Sequence, residues 1–353
     1  MKKLYTTPEY KKWQSRRQRK IERKLRSKNR PTRRKRSGKR KAAKPKRVND
    51  IKFPVVAYPD MRLLENTVKC LEVFREMRSE EALSRNHNVK FVVLNLKNVT
   101  QIDYGTISIL TAISDELKFK KIIVRTFYPD DLECRKFIYE SGYYNHQYDE
   151  HGKPFPKAPK SDLLFFEKGS GILSEADNIK ISNLIKAVVY HLSGESKHCL
   201  AVRTIILEIC GNSIEWSGTD SRQWLLGVKY EEGKVVFTVT DVGKGILETL
   251  KKRFGLVLKD IFTLKSPNDI LKGAFDKKYG STTQEVNRNK GLPAVKSHWE
   301  QGTINSLKVL TNNVILHFDS NELSETFSKG SPRFRGTFYQ WEMTNDCINK
   351  IMI

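Results

Sequence analysis

The sequence predicts an α/β protein with two folded segments behind a basic N-terminal arm, and three observations carry that prediction. The chain has 353 residues, room for about two domains that each bury a core. Positive charge is concentrated at one end: residues 1–50 hold 23 Lys/Arg and 3 Asp/Glu, whereas the other 303 residues hold 42 and 37. Beyond the arm, apolar runs of strand length alternate with stretches of helical periodicity, the pattern of layered α/β architecture.

The arm comes first. A segment this dense in like charge cannot bury enough apolar surface to offset its ordering entropy, so residues 1–50 are expected to be disordered. Clustered cations release counterions when they bind nucleic acid. Arg33, Arg34, Lys35, Arg36, Lys39 and Arg40 are therefore the candidate residues for DNA, RNA or a ribosomal surface. A solubility or localisation tail is the alternative reading.

Five cysteines, at 70, 134, 199, 210 and 347, form no CxxC pair, so neither a disulfide framework nor a thiolate metal site is expected. No apolar run approaches the roughly 20 residues that cross a bilayer, and the N-terminus lacks the apolar stretch of a signal peptide. The expectation is a cytoplasmic protein without membrane contact.

The first folded segment spans 51–146. Val89–Leu96 and Lys121–Thr126 read as buried strands, and Gly105–Lys118 between them as a helix. Leu64, Val68, Leu71 and Phe74 repeat at helical spacing, and Asp130–Ser141 opens with an acidic, cap-like pair that suits a third helix. These elements suggest a small α/β sandwich. The run VVLNLKNVTQIDYGTISIL followed by KKIIVRTFYPDDLECRKFIYESGYY resembles a STAS domain, the fold of anti-sigma-factor antagonists. That family carries Asp-Ser-Ser-Gly where this chain has Asp103-Tyr104-Gly105-Thr106. The resemblance without the acceptor serine implies a docking or oligomerising module for a protein partner or a second copy.

Residues 147–174, polar with several prolines, are expected to be a linker, and a helix is expected over Asp177–Leu192. Cys199–Trp216 reads as a further helix on which Glu208 and Asn212, four apart, share one face. A carboxylate and a carboxamide so placed can share a hard cation and its waters. Gln223–Glu231 and Lys234–Thr240 alternate as strands and meet at Glu232-Gly233, an antiparallel hairpin. Its second strand runs into Asp241-Val242-Gly243-Lys244-Gly245, where glycines permit a sharp turn and the carboxylate can accept from an exocyclic amine. Asn289–Val295 puts a glycine at a helix start, where free amides can meet phosphate oxygens. Phe334–Tyr339 closes the series with Gly336-Thr337 on a late strand.

These four short motifs, in this order over residues 175–345, resemble the GHKL ATPase superfamily. The resemblance implies a Bergerat-type α/β sandwich, with helices on one face of a mixed sheet and ATP between them. By the same resemblance Asn212 holds Mg²⁺, Asp241 reads the adenine amine, and Gly243 and Gly245 make room for the nucleotide. Lys290, Gly291 and Leu292 serve the phosphates, Thr337 bonds near adenine, and residues 247–289 form a lid. Glu208 is the base that orients a nucleophile toward the γ-phosphate. His191 and His198 lack the acidic neighbour of a histidine-kinase acceptor and are assigned to packing or surface. His298 and His317 lack companions at metal-ligand spacing.

The expected protein is thus an ATP- and Mg²⁺-dependent switch that hydrolyses ATP slowly. One alternative is an anti-sigma-type serine/threonine kinase acting on a STAS partner. The other is a nucleic-acid-bound adaptor for which ATP is only structural.

Overall fold

The computed structural model describes residues 51–79, 89–157, 164–170, 174–216, 223–254, 265–276 and 291–352. Residues 1–50, with Arg33, Arg34, Lys35, Arg36, Lys39 and Arg40, lie outside the described residues, as does Lys290. Parallel and antiparallel sheets are both present, and Asn49–Ile353 gather into one compact unit.

The chain first builds β1 (Ile51–Val56), β2 (Asp60–Met61), α1 (Thr67–Met77), β3 (Val89–Asn95), β4 (Gln101–Ile102), α2 (Tyr104–Phe119), β5 (Ile123–Phe127) and α3 (Leu132–Glu140). Strands β1, β3 and β5 form a parallel sheet in that order. Parallel neighbours need long crossovers, which α1 and α2 supply. Leu71 and Phe74 of the expected apolar stripe are buried, whereas Leu64 precedes α1 and Val68 faces out. The start of α2 is fixed by Asp103, whose Oδ1 accepts from the Thr106 amide at 2.7 Å and whose Oδ2 accepts from Leu63 at 2.8 Å. Asp131 caps α3 in the same way, accepting from the Cys134 amide.

The second half adds β6 (Leu164–Ser170), α4 (Glu175–Ser193), α5 (Leu200–Trp216), β7 (Gln223–Glu231), β8 (Lys234–Asp241), α6 (Ile246–Phe254), α7 (Pro267–Phe275) and α8 (Gly291–Glu300). It ends with β9 (Asn305–Asn312), β10 (Val314–His317), β11 (Glu325–Thr326), β12 (Phe334–Thr344) and α9 (Asn345–Met352). Seven strands form one sheet in the order β11-β10-β9-β12-β8-β7-β6. Every pairing in it is antiparallel, so the mixed sheet expected above is corrected. The expected linker, residues 147–174, is also not a connection throughout. Leu164–Ser170 forms β6, which pairs with β7 and extends the sheet.

Both faces of this sheet are covered. On one face Leu226, Val228, Phe237, Val239, Val309 and Trp341 pack with residues of α4, α5, α7, α8 and α9. The alternate residues Leu225, Leu310, Phe334 and Phe338 join the core of the first segment. Helix α2 lies between the two sheets, in contact with β5 on one side and with β7 and β8 on the other. Its continuous burial from Tyr104 to Ser114 follows from that position, because a helix enclosed on all sides has no polar face. Where α2 meets β8 the contact is polar but self-satisfied. Ser108 Oγ lies 2.7 Å from Thr240 Oγ1, and Thr238 Oγ1 donates to Ser108 Oγ at 3.2 Å. Burying each Leu or Phe side chain contributes about 1.5–3 kcal/mol, so the contact between the segments is part of the fold.

Candidate functional site

The parity of the central strands locates the site. Val235, Phe237 and Val239 face the helices, so Asp241, two residues further along β8, lies on the same face. In the register of β12 on β8, Thr337 pairs with Asp241, and in its register on β9, Thr337 pairs with Thr311. Asp241, Thr337 and Thr311, all buried, therefore form a row across three adjacent strands at one end of the sheet. Tyr339 follows on the same face. Burial, and secondarily the charge of Asp241, raises its hydroxyl pKa. The structure thus brings Asp241 and Thr337, predicted from separate motifs, side by side.

Two glycines make the row possible. Gly336 has φ +150°, and a Cβ there would lie 2.1 Å from the Asp241 carbonyl oxygen, so only glycine lets β12 approach β8 this closely. Gly245 has φ +83°, and a Cβ would lie 2.5 Å from Asn312 Oδ1 and 2.7 Å from Thr311 Oγ1. Gly243 donates its amide to Asp241 Oδ1 at 2.9 Å, tightening the turn that follows β8.

Thr311 and Asn312 complete the loop and were not singled out by the sequence. Thr311 Oγ1 accepts from the Ile246 amide and donates to the Gly336 carbonyl, both at 2.9 Å. Asn312 Oδ1 accepts from the Leu247 amide at 3.0 Å, and Asn312 Nδ2 donates to the Lys244 carbonyl at 2.8 Å. Together they cap α6 from another strand, so three of the first amides of α6 are already used, including the longer contact from Glu248. The only local cue was Asn312-Asn313 between two apolar runs, which signals a turn and no chemistry.

The other predicted residues sit on the helices over this face. Glu208 and Asn212 lie in α5, which packs on β7 and β8. Glu208 is half-buried; the Asn212 side chain lies outside what is described. Gly291 and Leu292 open α8, with Gly291 buried, and α8 packs directly against α5. The helix of Glu208 and Asn212 and the helix that Gly291 opens are therefore neighbours, and α5 lies over β7 and over β8, the strand that ends at Asp241. On the loop itself, Lys244 lies beside Lys252, which lowers its pKa through a side-chain hydrogen bond and charge repulsion.

The expected lid, 247–289, is only partly described. Leu247 of α6 and Ile270, Leu271 and Phe275 of α7 are buried in the helix-side core, so these parts are built into the fold. Residues 255–264 and 277–290 lie outside the described residues. His191 Nε2 donates to the Glu231 carbonyl at 2.9 Å and packs edge-on against Tyr230, and His198 is exposed. Among the described residues no group of three or more His, Cys, Asp or Glu could hold a metal ion, and no helix is long and apolar enough to cross a membrane. Compared with known protein families and with curated proteins, the chain matches none.

Proposed function

We propose that this protein binds ATP with Mg²⁺ on the helix-covered face of its seven-stranded sheet and uses slow hydrolysis as a switch. The observation that carries the reading is the pairing of Asp241 with Thr337, a buried carboxylate beside a buried hydroxyl at the end of adjacent strands. Two polar groups fixed by backbone pairing suit the edge of a flat base, with the carboxylate accepting from an exocyclic amine. The amides that open α6 are occupied by Thr311 and Asn312, so the phosphates fit better at the start of α8, at Gly291 and Leu292, with Lys290. Mg²⁺ then falls to Asn212 and catalysis to Glu208, one turn apart on α5 beside α8.

In this reading residues 51–146 are a STAS-like module and residues 175–345 a Bergerat-type GHKL domain, and the basic arm draws nucleic acid to the protein from the cytoplasm. Phosphorylation of the module at Thr106 or Tyr104 is disfavoured by their burial, at 0% and 5% exposure. Thr106 also donates its hydroxyl to the Met61 carbonyl.

Two variants test the proposal by calorimetry and phosphate release. Asp241→Asn replaces one acceptor oxygen with a donor facing an amine, and a tenfold or greater loss of ATP affinity is expected. Glu208→Ala is expected to keep ATP affinity within about threefold while hydrolysis falls about 100-fold or more. No heat on ATP addition to the wild type would refute the reading, whereas binding without hydrolysis would leave ATP as a structural ligand.

A further inference from the structure

Arg78, at the end of α1, reaches out of the first segment into the backbone of the candidate site. Its side chain is only 10% exposed, and that of its partner Glu116 on α2 is 5% exposed. Arg78 Nε donates to Glu116 Oε2 at 2.7 Å, and Glu116 Oε1 also accepts from Lys120 at 2.8 Å. The two remaining arms of the guanidinium leave the segment. Nη2 donates to the Val242 carbonyl at 2.8 Å, and Nη1 donates to the Arg335 carbonyl.

Those two carbonyls are informative by position. Val242 lies between Asp241 and Gly243 in the turn after β8, and Arg335 immediately precedes Gly336 on β12. Gly336 and Asp241 are the residues whose backbones come close enough to exclude a Cβ. One guanidinium therefore ties together, from the face opposite the helices, the two chain segments that carry Asp241 and Thr337. Glu116 sets its orientation. A planar fork spreads its donors over three nitrogens in fixed directions, whereas the three donors of an ammonium radiate from one rotatable atom.

We propose that Arg78, held by Glu116, is a positioning residue through which the first segment sets the geometry of the nucleotide loop. The segment is then an internal component of the site and its regulator: a partner that disturbs the end of α1 or α2 alters nucleotide affinity without touching nucleotide. This inference rests on the ATP reading above for its consequence, but the positioning itself has a readout that needs no ligand.

The test uses the full chain with three variants, Arg78→Met, Arg78→Met with Glu116→Leu, and Arg78→Lys. Arg78→Met alone leaves a buried carboxylate short of its partner and is expected to lower the Tm. Replacing both charges removes that penalty, so the double variant is expected to recover the stability lost to the unpaired carboxylate but not that of the two carbonyl hydrogen bonds. Affinity should not recover with it: the double variant is expected to bind ATP about tenfold more weakly than wild type. Amide exchange at Gly243 and Ile246, without nucleotide, should be faster. Arg78→Lys keeps the charge opposite Glu116 and guards against loss of folding in the others; weaker ATP binding and faster exchange are expected there too. Wild-type affinity and exchange in the double and lysine variants would overturn the proposal. If the wild type binds no ATP, the nucleotide reading fails, and the exchange rates alone decide whether Arg78 positions the loop.

Discussion

At the scale of single residues, the glycine of the late Gly-Thr pair does a job that its motif does not announce. Gly336 is needed because the Asp241 carbonyl occupies the space of a side chain, and the register of β12 on β9 shifts between Phe334 and Thr337 to allow that approach. Gly336→Ala must either push β12 from β8 or distort a backbone already at φ +150°. A loss of about 2–4 kcal/mol is expected from the contact and the strain together. Gly233, in the β7–β8 turn, gives the control. It has φ +72° but nothing within 4 Å of an added Cβ, so Gly233→Ala is expected to cost only about 1 kcal/mol, from backbone strain. Urea midpoints of the two variants measure the difference. Equal losses would mean that the close approach of the strands contributes nothing.

At the scale of elements, what was legible in the sequence was what is local. The hairpin of β7 and β8 is announced by two alternating runs and a Glu-Gly turn, because its strands pair with their immediate neighbours. The cap of α3 is announced by the acidic pair that opens Asp130–Ser141, because a capping carboxylate reaches only three residues ahead, whereas the cap that Asp103 gives α2 was not read from the sequence. By contrast, the insertion of β12 between β8 and β9 leaves no local trace, since its partners lie far along the chain. Apolar runs state that a strand is buried without stating what buries it. The stretch Gly105–Lys118 read as a helix, but nothing in it showed that Ser108 meets Thr240 of the second sheet. The strand β6 was hidden because the polar, proline-containing stretch before it dominated the reading of residues 147–174. The candidate site divides in the same way. Asp241, Gly245 and Thr337 were legible from short motifs. Thr311, Asn312 and Arg78 were not, because each acts through backbone groups of a distant segment and such contacts constrain only the shape of the donor, leaving no spacing to detect.

At the scale of the whole molecule, charge is distributed so that one end can act independently of the rest. Residues 1–50 supply a net +20 of the chain's +25, leaving +5 on the 303 residues that contain the candidate site. A protein with that asymmetry should bind polyanions through the arm with an affinity set by counterion release, about 0.9 in the log–log salt slope per phosphate neutralised on duplex DNA. Replacing Arg33, Arg34, Lys35, Arg36, Lys39 and Arg40 by Gln in the full chain removes six of those cations while leaving Asn49–Ile353 untouched. Fluorescence anisotropy with a labelled duplex and a labelled RNA hairpin, titrated between 50 and 200 mM salt, should show steep salt dependence for the wild type. The six-residue variant should bind more weakly at low salt and with a slope reduced by several units, whereas its ATP affinity should match the wild type, because none of the six lies within residues 175–345, which carry the candidate site. An unchanged slope would place the polyanion contacts on the folded unit instead. A slope that falls together with ATP affinity would show that arm and site communicate, which the separation of charge along the chain does not predict.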